Sequence, residues 1–151
     1  MSQRLSNFSQ PGSLLKKPLK DRLKKKELAQ HDRPGNSEAH LKCVRVLNCA
    51  TCLAFAPSDP HHLKHGVQHE RGIGRRATDR WTVPLCRSCH DSVESVGSRR
   101  EPEWFAKRGI ADPLGLASAL WNATGNPVAM NKIVDAHRGH KTNPVSTEGN
   151  S

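Results

Sequence analysis

No tyrosine occurs among the 151 residues of this chain, aromatics supply only 4% of it, and hydrophobic residues of every kind reach 34%. A chain this polar cannot bury a large core, and small domains of this kind usually depend on a metal or disulfide staple. No stretch approaches the ~20 apolar residues of a membrane span, so no membrane contact is expected. No apolar run follows the opening charges, which argues against a secretory leader. The expected compartment is the cytoplasm, where paired cysteines hold metal more often than they form disulfides. Internal repeats are also lacking, and the length suits one domain better than two.

Acidic residues are scarce: 14 Asp and Glu face 24 Lys and Arg, for a net charge of +10. Such a balance suggests a polyanionic partner without saying which one. The excess is uneven. Residues 1–42 hold ten basic residues against four acids, residues 43–122 eleven against eight, and residues 123–151 three against two. The chain therefore divides into a basic flexible arm at 1–42, a domain that carries the chemistry at 43–122, and a polar C-terminal tail at 123–151. In the arm, Lys16, Lys17, Lys20, Lys24, Lys25 and Lys26 cluster between Pro11-Gly12 and Pro34-Gly35. Leu14, Leu15, Leu19, Leu23 and Leu28 would allow a short helix there, although a solvated tail is the plainer reading.

Within the domain, Val44-Arg45-Val46-Leu47 reads as a short strand and Trp81-Thr82-Val83-Pro84-Leu85 as a second, with Pro84 at an edge or end. Helix signals begin after Cys89. Glu103 to Lys107 reads as a short helix, and Asp112-Pro113 as an N-cap with proline at the first helical position. Leu114, Ala117, Leu120 and Trp121 then recur at helical spacing, with Gly125 able to end the helix. Trp104, Phe105 and Trp121 read as core. The segment after Asn126 is expected to be mostly disordered.

Cys49-Ala-Thr-Cys52 and Cys86-Arg-Ser-Cys89 each place two thiolates on one tight turn, able to converge on a single tetrahedral ion. Zn²⁺ favours such a closed four-sulfur shell, which is structural and not catalytic. Cys43 is left over as a free thiol. Cys86-Arg-Ser-Cys89-His90 also matches a haem-attachment signature, but that would require export and leave Cys49 and Cys52 unexplained. The zinc-deaminase pattern fails because no His-x-Glu occurs.

Nine histidines are many for this length. His61 and His62 follow Asp59-Pro60, and His90 follows Cys89 directly. If both cysteine pairs share one zinc, the segments leaving Cys52 and Cys89 start from one point, which brings His61-His62 towards His90. Neighbouring side chains on a strand face opposite ways, so the two adjacent histidines would take different tasks, one on metal and one on substrate. Glu94 lies one turn beyond His90 on the same helix face, so His61, His90 and Glu94 form a candidate metal set. His65 and His69 read as exposed loop residues.

C-x-x-C, then the histidine pair, then a loop rich in glycine and arginine (Arg71-Gly72-Ile73-Gly74-Arg75), then Asp79-Arg80-Trp81-Thr82-Val83-Pro84-Leu85-Cys86 and Cys89-His90, resembles the HNH or His-Me finger endonucleases. It is most similar to prophage-type members of a domain-of-unknown-function family and to phage recombination-enhancement nucleases. The resemblance covers about residues 43–122. It implies a small α+β fold: a ββα-metal (HNH) finger stapled by a four-cysteine zinc site, with added C-terminal helices and disordered tails. It implies His62 as general base, His61 and His90 as ligands of one divalent metal, and Asp79 in the place of the family's middle Asn. Glu94 stands where many relatives carry a second His, and a carboxylate there suits Mg²⁺ or Mn²⁺ ahead of Zn²⁺. Hydrolysis of phosphodiester bonds follows as the expected activity, on DNA ahead of RNA, in a bacterial or phage-infected cell. A recombination or replication protein is a further expected partner.

Lys64, Arg71, Arg75 and Arg76 lie between the two halves of this site and are the candidates for binding phosphates. Two other readings use fewer of these features. A non-catalytic zinc module that binds nucleic acid explains the cysteines and the charge, but leaves the histidines to chance. A protein–protein adaptor held by a zinc knuckle explains only the cysteines.

Overall fold

A computed structural model describes residues 33–72 and 75–138. The Lys-rich arm up to Asp32, Ile73-Gly74 and the tail from Gly139 lie outside the described residues, and so do the expectations of flexibility that fall on them. The described elements are α1 (Glu38–Arg45), β1 (Asp59–His62), β2 (Thr82–Leu85), α2 (Arg87–Ala106), α3 (Pro113–Asn122) and α4 (Pro127–Arg138), with single 3-10 turns at Gln68–Glu70 and Asp79–Trp81. The result is a small α+β arrangement with one two-stranded antiparallel sheet.

Helix α1 corrects the first expected strand. Ser37 caps it, its side chain accepting from the His40 N–H, and Leu41 and Val44 are buried at a three-residue spacing that only a helix brings to one face. The alternating valines of Val44–Leu47 pull towards strand, but the cap and the burial of that face outweigh the weaker local preference. Val46, outside the helix as its C-cap, is left more than half exposed.

The second expected strand is present, from Thr82 onwards. It pairs with β1 in the register Asp59↔Leu85, Pro60↔Pro84, His61↔Val83 and His62↔Thr82. The Leu63 N–H donates to the Trp81 carbonyl, 2.9 Å away, just beyond this ladder. Because hydrogen-bonded and non-bonded pairs alternate, Pro60 and Pro84 face each other at a non-bonded position, where a missing N–H costs nothing.

Helix α2 reaches from the second cysteine pair across the sheet, and absorbs the short helix expected at 103–107. It is broken at Gly97, whose φ of 73° and ψ of 170° are not helical. Before the break the helix carries Cys89, His90 and Glu94, and after it Glu101, Trp104 and Phe105, all three buried.

Helix α3 starts as expected, the Asp112 carboxylate accepting from the Gly115 N–H at 2.8 Å. The segment after Asn126, expected to be disordered, forms α4 over Pro127–Arg138. Asn126 Oδ1 caps it through the Ala129 N–H, and Met130 and Val134 are buried against the core. Two buried apolar side chains four residues apart, with Ile133 half-buried beside them, dock the helix. The packed region thus extends past both ends of residues 43–122, taking in α1 and α4. One core joins Val44, Leu47, Leu63, Val83, Leu85, Phe105, Ile110, Leu116, Leu120, Met130 and Val134.

Candidate functional site

The two cysteine pairs meet. Cys49, Cys52, Cys86 and Cys89 offer sulfurs that all lie within 4.8 Å of one another. The first knuckle is tied to β2, the Ala50 N–H donating to the Pro84 carbonyl at 2.9 Å, and is closed by the Leu53 N–H on the Cys49 carbonyl at 3.0 Å. Leu53 takes a positive φ of 60° to make that turn. The second pair begins α2, with Cys86 as its N-cap.

Cys52 Sγ and Cys86 Sγ stand 3.6 Å apart. Two ligands of a tetrahedral centre with bonds of about 2.3 Å stand about 3.8 Å apart, so the spacing fits zinc. It is far beyond the ~2.05 Å of a disulfide. Burial raises the Cys49 thiol, but the Thr51 hydroxyl and the backbone N–H groups of Cys86, Cys52 and Thr51 outweigh it and bring the group down to about 6. Burial, with neighbouring sulfurs, pushes Cys89 up to about 12. Four thiols this close cannot all ionise without a cation, and the cluster can hold a metal ion such as zinc. Cys43 stays apart as a free, half-buried thiol.

Beside this cluster, His61, His90 and Glu94 form a second group whose ligand atoms lie within 4.8 Å of one another. The rings of His61 and His90 are 5.2 Å apart. His61 is fully buried. Its Nε2 lies 2.9 Å from Glu101 Oε1, and its Nδ1 faces Glu94 Oε1 at 3.4 Å. Glu101 is itself buried, and its second oxygen accepts the N–H groups of Lys64 and His65 at 2.8 and 2.7 Å. Burial opposes charge on Glu101, yet the His61 hydrogen bond and those two N–H groups hold its carboxyl below the ordinary range. An ionised Glu101 takes the Nε2 proton of His61 as donor, which leaves the Nδ1 lone pair bare. The Nδ1 atoms of His61 and His90 are the two buried polar side-chain atoms without a hydrogen-bond partner among the described residues. Burial, then the repulsion that two protonated rings this close would feel, pushes His90 below its usual value, which favours its neutral form. Two bare imidazole nitrogens next to a carboxylate make a donor set that fits a divalent cation.

His62 points away from His61, as strand alternation requires. Its Nε2 is 2.8 Å from Asp79 Oδ1. Asp79 in turn accepts the Ser37 N–H at 3.0 Å, while its own N–H donates to Asn36 Oδ1 at 3.1 Å. Burial alone would raise the Asp79 carboxyl, but the His62 and Ser37 hydrogen bonds keep it below its ordinary range. The start of α1 therefore braces the residue that holds His62.

His62, His90, Glu94, Lys64, Arg71 and Arg76 line one cleft of about 260 Å³. The Lys64 ammonium pairs with Glu94 Oε2, which leaves Oε1 facing His61. Burial disfavours charge on Glu94, but Lys64, then His61 and His90, hold its carboxyl below the ordinary range. The Arg71 guanidinium donates to the Lys64 carbonyl at 3.1 Å. Arg75 is exposed, is bridged to Gly72, and does not line this cleft. His65 and His69 are exposed, as expected.

Glu101 carries no mark in the sequence. It lies forty residues from His61 in a run of charged residues, and nothing local singles it out. Asn36 and Ser37 are hidden for the same reason, since both fall within the expected arm.

Residues 11–110 match the family described as "Protein of unknown function (DUF968)". No curated protein and no solved structure matches the chain.

Proposed function

The chain belongs to the DUF968 family, and on that footing we propose that it is a metal-dependent endonuclease of the HNH type, hydrolysing phosphodiester bonds of DNA. One observation carries the reading. His61 and His90 hold buried, unpartnered Nδ1 atoms beside the Glu94 carboxylate, and His90 and Glu94 line the same cleft as His62, which Asp79 holds.

A divalent cation held by His61, His90 and Glu94, with Mg²⁺ or Mn²⁺ ahead of Zn²⁺, supplies charge neutralisation for the phosphate oxygens. The rest falls to the chain. His62 accepts a proton from the attacking water through the ring nitrogen that Asp79 does not engage. Imidazole suits this task because its proton affinity is matched to cellular pH. Asp79 fixes the ring and stabilises the imidazolium that forms, as the carboxylate of a catalytic triad does. Arg71 and Arg76 bind the phosphates on either side of the scissile bond, with Lys64 between them and Glu94. The four-cysteine cluster holds the start of α2, and so the position of His90.

A second reading, a non-catalytic zinc module that binds nucleic acid, is favoured by the Lys64 ammonium on Glu94. There the carboxylate already has its counter-charge and needs no metal.

The test is cleavage of supercoiled plasmid and single-stranded DNA with Mg²⁺, Mn²⁺ or EDTA, comparing wild type with His62→Ala. Metal-dependent cutting should be lost in the variant by at least ~10²-fold, with zinc content unchanged. No cutting with any metal, together with tight, salt-sensitive binding, would overturn the nuclease in favour of the second reading.

A further inference from the structure

A second trough, of about 510 Å³, lies against the later half of α2 and is lined by Val96, Arg100, Glu103, Trp104, Lys107 and Arg108. The proposed function makes no use of it. It shares α2 with the cleft: His90 and Glu94 line the cleft before the break at Gly97, and Arg100, Trp104 and Arg108 line the trough beyond it.

Its charge is only partly balanced internally, since Glu103 alone faces Arg100, Lys107 and Arg108. Glu103 is held by Lys107 at 2.7 Å. No carboxylate among the described residues lies within 4.0 Å of Arg99, Arg100 or Arg108. Arg108 is also fixed in place. Its guanidinium stacks on the Trp104 ring with 3.9 Å to the centroid, and its Nη1 donates to the Trp104 carbonyl at 3.3 Å. The ring beneath is anchored in turn, its Nε1 donating to Ser92 Oγ at 3.0 Å. A guanidinium held over an aromatic ring and hydrogen-bonded there has already lost much of its rotamer freedom, and its remaining N–H edges meet an anion with little further ordering.

We propose that this trough is a second nucleic-acid contact, in which Arg100 and Arg108 bind phosphates of the strand whose scissile bond lies in the cleft. The identity of the partner rests on the nuclease reading. The trough lengthens the footprint by a contact that is indifferent to sequence, because stacked and exposed arginines address phosphate oxygens and reach no base edge.

Affinity of the full chain for a short labelled DNA duplex is measured against salt, without added Mg²⁺ or Mn²⁺ so that the DNA stays intact. Three double variants join the wild type: Arg100→Ala with Arg108→Ala, Arg99→Ala with Arg100→Ala, and Arg71→Ala with Arg76→Ala. Both residues of the second pair are exposed and only Arg100 lines the trough, so this pair reads Arg100 even where loss of the Arg108 stack harms folding. Each phosphate no longer neutralised should flatten the plot of log affinity against log salt by about 0.9. Trough variants are expected to be flatter by about 1 to 2 units, with at least ~10-fold weaker binding at moderate salt.

Trough variants that match the wild type, while the cleft variant binds weakly, would overturn the trough and leave the nuclease reading standing. Wild-type protein with no salt-dependent affinity for DNA would overturn both. Unchanged DNA binding with loss of binding to a poly-glutamate peptide would assign the trough to an acidic protein surface, against the proposal.

Discussion

His61 has two ring nitrogens with different tasks, and Glu101 decides which is which. A buried carboxylate that holds a ligand's far N–H fixes its tautomer and raises its basicity, and loss of such a partner typically costs about 10- to 100-fold in metal affinity. Glu101→Gln keeps the shape and removes the charge. Titration of the zinc-loaded protein with Mn²⁺ should show affinity falling by about that factor at unchanged zinc content. Equal affinity in the two proteins would mean that Glu101 only packs. His40 offers a separate reading at the same scale. It is buried between Thr82 Oγ1 at 3.1 Å and Thr124 Oγ1 at 2.6 Å, and burial lowers it to about 4, with Asp79 pulling upwards and His62 downwards. The neutral form is thus the folded form. Its contribution is fully present above pH 6.5, where the unfolded chain is also neutral, and is lost as pH falls from there towards 4. The whole span corresponds to on the order of 3 kcal/mol. Melting temperatures between about pH 7 and pH 4.5 should therefore fall with acid, and fall less in His40→Gln. Parallel profiles would show that other groups set the acid sensitivity.

Helix α2 is the element on which both candidate metal clusters depend. Its first turns carry Cys86, Cys89, His90 and Glu94, and its last turns carry Glu101 and Phe105 back to His61. A straight helix of this length would turn the later residues away, and the break at Gly97 re-aims them. The φ of 73° with ψ of 170° is a region that essentially only glycine occupies, although a Cβ there would meet no atom within 4 Å. Gly97→Ala should therefore act through backbone strain and not through a clash, at about 1–3 kcal/mol, read from urea unfolding. Relief of that strain by straightening would move Glu101, so weaker Mn²⁺ binding should accompany the lost stability. Full stability in Gly97→Ala would sink the strain argument.

On the scale of the whole molecule, the shortage of apolar residues makes every covering element count. Helix α4 contributes the buried Met130 and Val134 to the core, with Ile133 packed against it, and it lies over α3 and is pinned near the first cysteine knuckle by Asn131 Oδ1, which accepts the Asn48 N–H at 3.1 Å. Each buried side chain of this size is worth about 1.5–3 kcal/mol. Removal of residues 127–151 should therefore lower the melting temperature by at least ~10 °C, where a disordered tail would be dispensable. An unchanged melt would return this segment to the status of a tail. The net charge of +10 belongs to this scale too, since it sets attraction to polyanions and not the fold.

The four cysteines were legible because metal chemistry imposes a local spacing, and two C-x-x-C turns state it twice. His61, His62, His90 and Glu94 were legible through the cysteines, since chain segments that leave one ion start together. Strand alternation then separated His61 from His62, and the structure keeps them apart in that way. The cap at Asp112 and the helix it opens were equally local. Helix α1 was hidden because alternating valines and a helical spacing overlapped there, and the cap at Ser37 together with burial against the sheet decided between them. Helix α4 was hidden because two buried side chains leave a polar segment looking like a tail. Glu101, Ser37 and the trough at Trp104 have no signature at all in the sequence. Local spacing determined which side chains could share a metal; tertiary packing alone decided which carboxylates brace them, because hydrogen bonds between residues so distant along the chain exist only once it has folded.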